Sequence, residues 1–239
     1  MMKRSIRTPK GKYSYRPVYL YLGRKVIDRE VAFGNLKDLM AILDPTGLRY
    51  GPIFGSLLGI VREHDFIAWD EDIDLYILKE EEDLFKEALW ALREGGFELV
   101  RYDKRGLYSV MRNNEYIDFY VLRSVSGELR HTGGADFIFD KYLQDTIPFD
   151  FKGLSIRIPR EYDEYLTFTY GDWRTPRRDF DYHQSSFRIF LGKIRWFLKN
   201  LIPEKIYPFF VRMYRKKDLE KFLRKCDAKG VVLKEEVRL

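Results

Sequence analysis

The 239-residue chain has one cysteine, Cys226, and only three histidines, His64, His131 and His183, far apart along it. One cysteine excludes an intrachain disulfide, and the sparse histidines argue against a zinc site of Cys and His. Long apolar runs are also missing. No stretch approaches the ~18 to 20 apolar residues that span a bilayer, and the basic first dozen residues lack the apolar core of a signal peptide. These absences predict a reducing, cytoplasmic setting. Internal repeats and low-complexity segments are absent as well, and 45% hydrophobic residues exclude wholesale disorder.

The formal charge of +6 is unevenly spread. Residues 1–29 hold nine basic residues against one acidic, residues 187–229 thirteen against four, and the last ten are neutral, which leaves −11 for residues 30–186. An acidic centre between basic ends fits a cation site flanked by segments drawn to an anionic surface. No recognisable nucleic-acid-binding motif accompanies the basic flanks, and no nucleic-acid partner is expected.

Within the acidic centre, Trp69-Asp70-Glu71-Asp72-Ile73-Asp74 places four carboxylates in six positions and leads into the apolar Leu75-Tyr76-Ile77-Leu78. Carboxylates carried toward a core are costly unless a cation offsets them. If 73–78 is a strand, Asp72 and Asp74 point the same way at one end of it. A third carboxylate, Asp118, sits inside the apolar Tyr116-Ile117-Asp118-Phe119-Tyr120-Val121. Beside Asp72 and Asp74 it would complete an oxygen site for one or two Mg²⁺ or Mn²⁺ ions. Upstream, Gly55-Ser56 reads as a small-residue turn before a helix, where backbone N–H groups receive a phosphate.

Periodicity predicts helices over 30–43, 57–64, 80–93 and 161–169, and strands over 48–54, 73–78, 97–101, 108–112 and 116–122. Asn113-Asn114-Glu115 and Lys152-Gly153 mark hairpins, the second within 149–159. The polar, glycine-rich 124–136 reads as a loop or boundary. Phe187, Phe190, Leu191, Ile194, Phe197, Leu198 and Leu201 recur at helical spacing, with Arg188, Arg195 and Lys199 largely off the stripe, and Pro203 ends the run. This basic amphipathic helix has three readings: packed on the core, lying on an anionic membrane surface, or meeting a partner. The expected fold is α/β (α+β), a mixed β-sheet flanked by helices with an additional C-terminal helical segment. Its parts are a basic N-terminal arm (1–29), a catalytic domain (30–183) and a basic helical segment (184–239).

Gly55-Ser56-Leu57-Leu58-Gly59-Ile60-Val61-Arg62, followed by Phe66-Ile67-Ala68-Trp69-Asp70-Glu71-Asp72-Ile73-Asp74, resembles the signature of LicD-type phosphotransferases, relatives of fukutin within the nucleotidyltransferase superfamily. Tyr170-Gly171-Asp172-Trp173-Arg174-Thr175-Pro176 is similar to the family's downstream element. The resemblance runs over roughly residues 30–178. It implies a nucleotidyltransferase-type sheet and transfer of a phosphorylated alcohol, such as phosphocholine or an alditol phosphate, from a CDP-activated donor. The acceptor would be a hydroxyl of a cell-surface glycan, such as teichoic acid or lipopolysaccharide, or its lipid-linked precursor, with CMP released.

By the same resemblance Asp72, Asp74 and Asp118 hold metal, and Asp118 is a second candidate for taking the acceptor's proton. Gly55 and Ser56 meet a donor phosphate, Arg62 neutralises it, and Asp172 and Arg174 frame donor or acceptor. Ala68 and Glu71 depart from residues common in the family without removing a ligand. Fukutin-like proteins carry an N-terminal anchor not seen here, so a bacterial cytoplasmic role, peripheral at the inner membrane face, is expected. Two alternatives stand beside this: a nucleotidyltransferase releasing pyrophosphate, and a non-catalytic binding module recruited to membranes.

Overall fold

The structure is a computed structural model that describes residues 3–132, 136–176, 185–199, 207–235 and 237. The expected boundary at 183/184, His183 and the helix stop at Pro203 lie outside the described residues. In chain order the elements are β1 (Arg4–Thr8), β2 (Gly11–Tyr15), α1 (Arg29–Leu43), β3 (Tyr50–Pro52), α2 (Phe54–Glu63), β4 (Ile73–Leu78), α3 (Glu82–Glu94), β5 (Glu98–Asp103), β6 (Leu107–Arg112) and β7 (Glu115–Ser124). Then follow β8 (Leu129–His131), β9 (Phe137–Phe139), α4 (Lys141–Gln144), β10 (Thr146–Phe151), β11 (Leu154–Pro159), α5 (Tyr162–Tyr170), α6 (Ser186–Lys199) and α7 (Tyr207–Ala228).

The centre is a mixed sheet in the order β3-β4-β7-β6-β5, with β4 parallel to β7 and the other neighbours antiparallel. This is the mixed α/β architecture that the strand and helix periodicities predict. Helix α1 starts where Asp28 caps the Val31 N–H at 3.2 Å, and it turns Ala32, Leu36, Leu39, Met40 and Leu43 into the core. It packs with α3 against the sheet, and α3 buries Phe85, Ala88, Leu89 and Leu92 before Gly95. The β6–β7 connection is the two residues Asn113 and Asn114, both at positive φ (53° and 63°), the geometry that matches strand twist in a tight hairpin. Lys152 and Gly153 make the same kind of turn between β10 and β11.

The basic N-terminal stretch forms a β-hairpin held on the main body. Alternate residues Ile6 and Thr8 on β1, and Tyr13 and Tyr15 on β2, are buried. Tyr13 meets Trp90 of α3 edge to face at 5.1 Å and carries the Arg93 guanidinium over its ring. Likewise 124–136 is not simply a loop, because β8 lies within it and is fully buried. Arg130 on β8 is accommodated by ion pairs to Glu80 (2.8 Å) and Asp140. Helix α7 seats Phe222 against Phe137, Phe139 and Phe168, so the C-terminal segment is also part of the body.

Replacing Tyr13 by Ala should destabilise the whole protein by about 3 kcal/mol, because a fully buried aromatic leaves a cavity. Urea unfolding checks this; a detached arm would leave the midpoint unchanged.

Candidate active site

The site is built by strand register. Asp74 on β4 is directly opposite Asp118 on the parallel β7, and Asp72, two residues earlier, shares the face of Asp74. Carboxylate oxygens of Asp72, Asp74 and Asp118 all lie within 4.8 Å of one another. Asp118 is buried, and Asp72 and Asp74 are partly exposed, so the cluster opens to solvent on one side. The same register extends the row: Asp118 faces Ser109 on β6, and Ser109 faces Arg101 on β5. A β-bulge between Leu99 and Arg101 brings Arg101 into this row. Its guanidinium pairs with Asp118, and its Nε donates to Ser109 Oγ at 2.7 Å.

Helix α2 begins beside the cluster. Phe54 turns the chain with φ of +50°, a left-handed conformation that costs an apolar residue about 1–2 kcal/mol. Its ring sits edge-on to Tyr120 at 5.2 Å, and its N–H donates to Tyr165 Oη at 3.4 Å. Gly55 and Ser56 therefore lie in the first helical turn and not in a turn before it, since Phe54 has already redirected the chain. Amides in that turn have no partner within the helix and face outward as anion receivers. Ser56 Oγ accepts from the Asp74 N–H at 2.7 Å, and the Ile53 N–H donates to the Asp74 carbonyl at 3.1 Å, so the start of α2 is tied to β4 at the cluster. Gly55 has no room for a side chain: a Cβ there would lie 2.6 Å from Asp70 Oδ2.

Burial, then mutual repulsion, pushes the Asp72 and Asp74 carboxyls well above the usual carboxylate range. Asp118 is raised by burial against the opposing pull of Arg101. Asp70, buried behind Gly55, is pushed up to about 6. The donor set fits a divalent cation. All three groups offer carboxylate oxygen, Asp118 Oδ1 is buried with no hydrogen-bond partner, and a cation would offset the repulsion that helps to raise Asp72 and Asp74.

Arg62, Asp172 and Arg174, the other residues expected to contact substrate, have these surroundings. Arg62 is in the last turn of α2, about 10 Å along the helix from Gly55, where it bonds Glu63 (2.6 Å) and the Trp173 carbonyl (3.1 Å). Its guanidinium is committed to holding the 171–176 turn on α2. Arg174 is exposed, stacked on Trp173 and paired with Asp163 at 2.5 Å; Asp172 is exposed in the same turn. Glu71 points to the opposite side from Asp70 and Asp72, accepting from the Gly23 N–H and from Tyr116 Oη. The residues that sequence reasoning missed are Arg101, Ser109, Tyr120, which bonds Asp74, and Tyr165. An arginine at the end of a half-buried strand carried no signal; Tyr116 and Tyr120, two residues on either side of Asp118, did.

The mixed sheet thus presents, beside a helix N-terminus, a cluster of three carboxylates that could hold a metal ion. Residues 47–161, a little under half of the chain, match the family model for the LicD/FKTN/FKRP nucleotidyltransferase domain. It is 30% identical over 175 residues to the ribitol 5-phosphate transferase FKRP of Mus musculus, covering 65% of this chain and 34% of that protein. To the Homo sapiens counterpart it is 29% identical over 147 residues, 56% of this chain and 30% of that one. The chain thus spans about a third of the length of these curated relatives. Among solved structures, that of the antibiotic-resistance factor ANT(2″)-Ia in solution overlays with a TM-score of 0.45 at 15% identity, covering 84% of this chain and 98% of that one.

Two outcomes are expected from the metal-free protein. Raised carboxyls make protonation favour the fold, so their contribution is greatest at acid pH and is lost as pH rises through the raised values. Asp74→Asn should therefore raise the Tm of the metal-free protein by roughly 2–4 °C per kcal/mol of relieved repulsion. The gain over wild type should widen from acid to neutral pH, and Mg²⁺ should stabilise wild type but not the variant in thermal melts. Arg101→Met, which leaves Asp118 buried without its partner, should cost about 3 kcal/mol without metal and enlarge the stabilisation by Mg²⁺, as urea unfolding with and without Mg²⁺ would show.

Proposed function

We propose that this protein is a metal-dependent phosphotransferase that moves a phosphorylated alcohol from a CDP-activated donor to a hydroxyl of a glycan or lipid-linked glycan, releasing CMP. The observation that carries the reading is the convergence of Asp72, Asp74 and Asp118 beside the first turn of α2. The match of residues 47–161 to the LicD/FKTN/FKRP nucleotidyltransferase domain and the ribitol 5-phosphate transferase activity named for the FKRP relatives support the substrate class.

Asp72, Asp74 and Asp118 would hold Mg²⁺ or Mn²⁺, which when bound neutralises the diphosphate and makes its phosphorus more electrophilic. The amides of Gly55 and Ser56 receive a phosphate oxygen of the donor, and the tie between Ser56 and Asp74 keeps that receiver in register with the carboxylates. The acceptor oxygen bonds to the phosphorus bearing the alcohol as the bond from that phosphorus to the bridging oxygen breaks. CMP leaves with that oxygen and its electron pair, and the acceptor's proton passes to a cluster carboxylate. Arg101 opposes the effect of burial on Asp118 and so favours its charged form. Tyr120 orients Asp74 through its hydroxyl.

Incubation with a panel of CDP-alcohols, Mg²⁺ and candidate glycans should release CMP only when donor and acceptor match. Asp74→Asn should lower that rate by about three orders of magnitude with the fold intact. A variant of near wild-type rate removes Asp74 from the mechanism. Pyrophosphate released from a nucleoside triphosphate, with no CMP from any CDP-alcohol, would replace this reading by nucleotidyl transfer.

A further inference from the structure

Helix α6 carries the largest exposed apolar face among the described residues. Phe187, Phe190 and Phe197 are 67%, 58% and 58% exposed, and Leu191 and Ile194 lie between them on the same side. At 100° per residue these five fall within an arc of about 120°. The opposite side is the one that docks. Ile189, Gly192 and Trp196 are half-buried, and the Trp196 ring lies 5.7 Å from Tyr19 and under the Arg4 guanidinium. Gly192 lies so close to the Tyr19 hydroxyl that a Cβ there would come within 2.0 Å of it. The helix is thus held by its back, with its apolar front outward.

The charges around that front identify what it meets. Arg188 and Arg195 border the apolar arc on one side and Lys193 on the other, all three exposed, and α6 contains no acidic residue. A second copy docking front to front would bring cations against cations with no carboxylate on the helix to meet them. A surface that is anionic outside and apolar beneath satisfies both features at once. We propose that α6 lies in the interface of an anionic bilayer, with Phe187, Phe190, Leu191, Ile194 and Phe197 among the acyl chains and Arg188, Lys193 and Arg195 at the headgroups. No described helix is long and apolar enough to cross a membrane, so the contact is made from one side. The proposal stands independently of the reaction catalysed.

Co-sedimentation of the full chain with vesicles tests it. Binding should be several-fold greater to phosphatidylglycerol-containing vesicles than to phosphatidylcholine vesicles, and should weaken as salt is raised. Phe187→Ser/Phe190→Ser/Phe197→Ser should reduce binding to the anionic vesicles about tenfold with an unchanged melting temperature, since the replaced side chains are exposed. Arg188→Gln/Lys193→Gln/Arg195→Gln should abolish the preference for anionic lipid. Equal sedimentation of wild type and the phenylalanine variant overturns the proposal. So does a wild-type dimer in light scattering that the phenylalanine variant dissociates while neither protein binds vesicles; α6 would then be a contact between copies.

Discussion

The parallel pairing of β4 with β7 is the constraint on which the rest depends, because it sets Asp74 opposite Asp118 between apolar neighbours on both strands. Fully ionised carboxylates 4.8 Å apart repel by roughly 3.5 kcal/mol per pair at an effective dielectric of about 20. Such repulsion makes the cluster a place where a cation would be stabilising. The carboxyls answer by holding protons at unusually high pH, which a divalent ion would displace.

Neighbouring elements make that arrangement tolerable and directional. Arg101, brought into the row by the β5 bulge, supplies one fixed positive charge at the closed end, and the open end remains on the side of Asp72 and Asp74. Phe54 accepts a left-handed backbone so that the first turn of α2 starts beside the carboxylates, and Ser56 then ties that turn to β4. Strain and repulsion are located where substrate would bind, and the apolar packing of α1 and α3 on the sheet bears the cost. The 171–176 turn acts from behind: Trp173 fixes Arg62, and thereby the far end of α2, leaving the near end to face the cluster.

Much of this was legible along the chain. Short apolar runs over 73–78 and 116–121 read as strands, and an aspartate inside each pointed to a shared site, because a lone carboxylate is costly to bury in an apolar strand. Paired asparagines marked the β6–β7 turn, since asparagine tolerates positive φ. The N-terminal hairpin was obscured by its charge: the residues that anchor it, Tyr13 and Tyr15, alternate with exposed polar ones, and five-residue strands give a short period. Strand β8 was obscured because Arg130 and His131 are polar and yet buried, a situation that depends on Glu80 and Asp140 being nearby in space. The partners of Arg62, Glu63 and the Trp173 carbonyl, were not legible, because an arginine after a Gly-Ser helix start carries no sign of what lies beside the far end of the helix.

By itself the sequence determined the elements, the pairing of polar with apolar positions and the three aspartates, since each is a local matter of period and residue type. The helical stripe of α6 was equally visible, but not which side of it would be covered. Tertiary structure alone decided that Arg101 and Tyr120 join the cluster, that Arg62 pairs with the Trp173 carbonyl and Arg174 with Asp163, and that the phenylalanine face of α6 is left open. The reason is physical: desolvation, strand register across non-adjacent segments and the reach of a long cationic side chain are set by neighbours distant in sequence, and no local pattern encodes them.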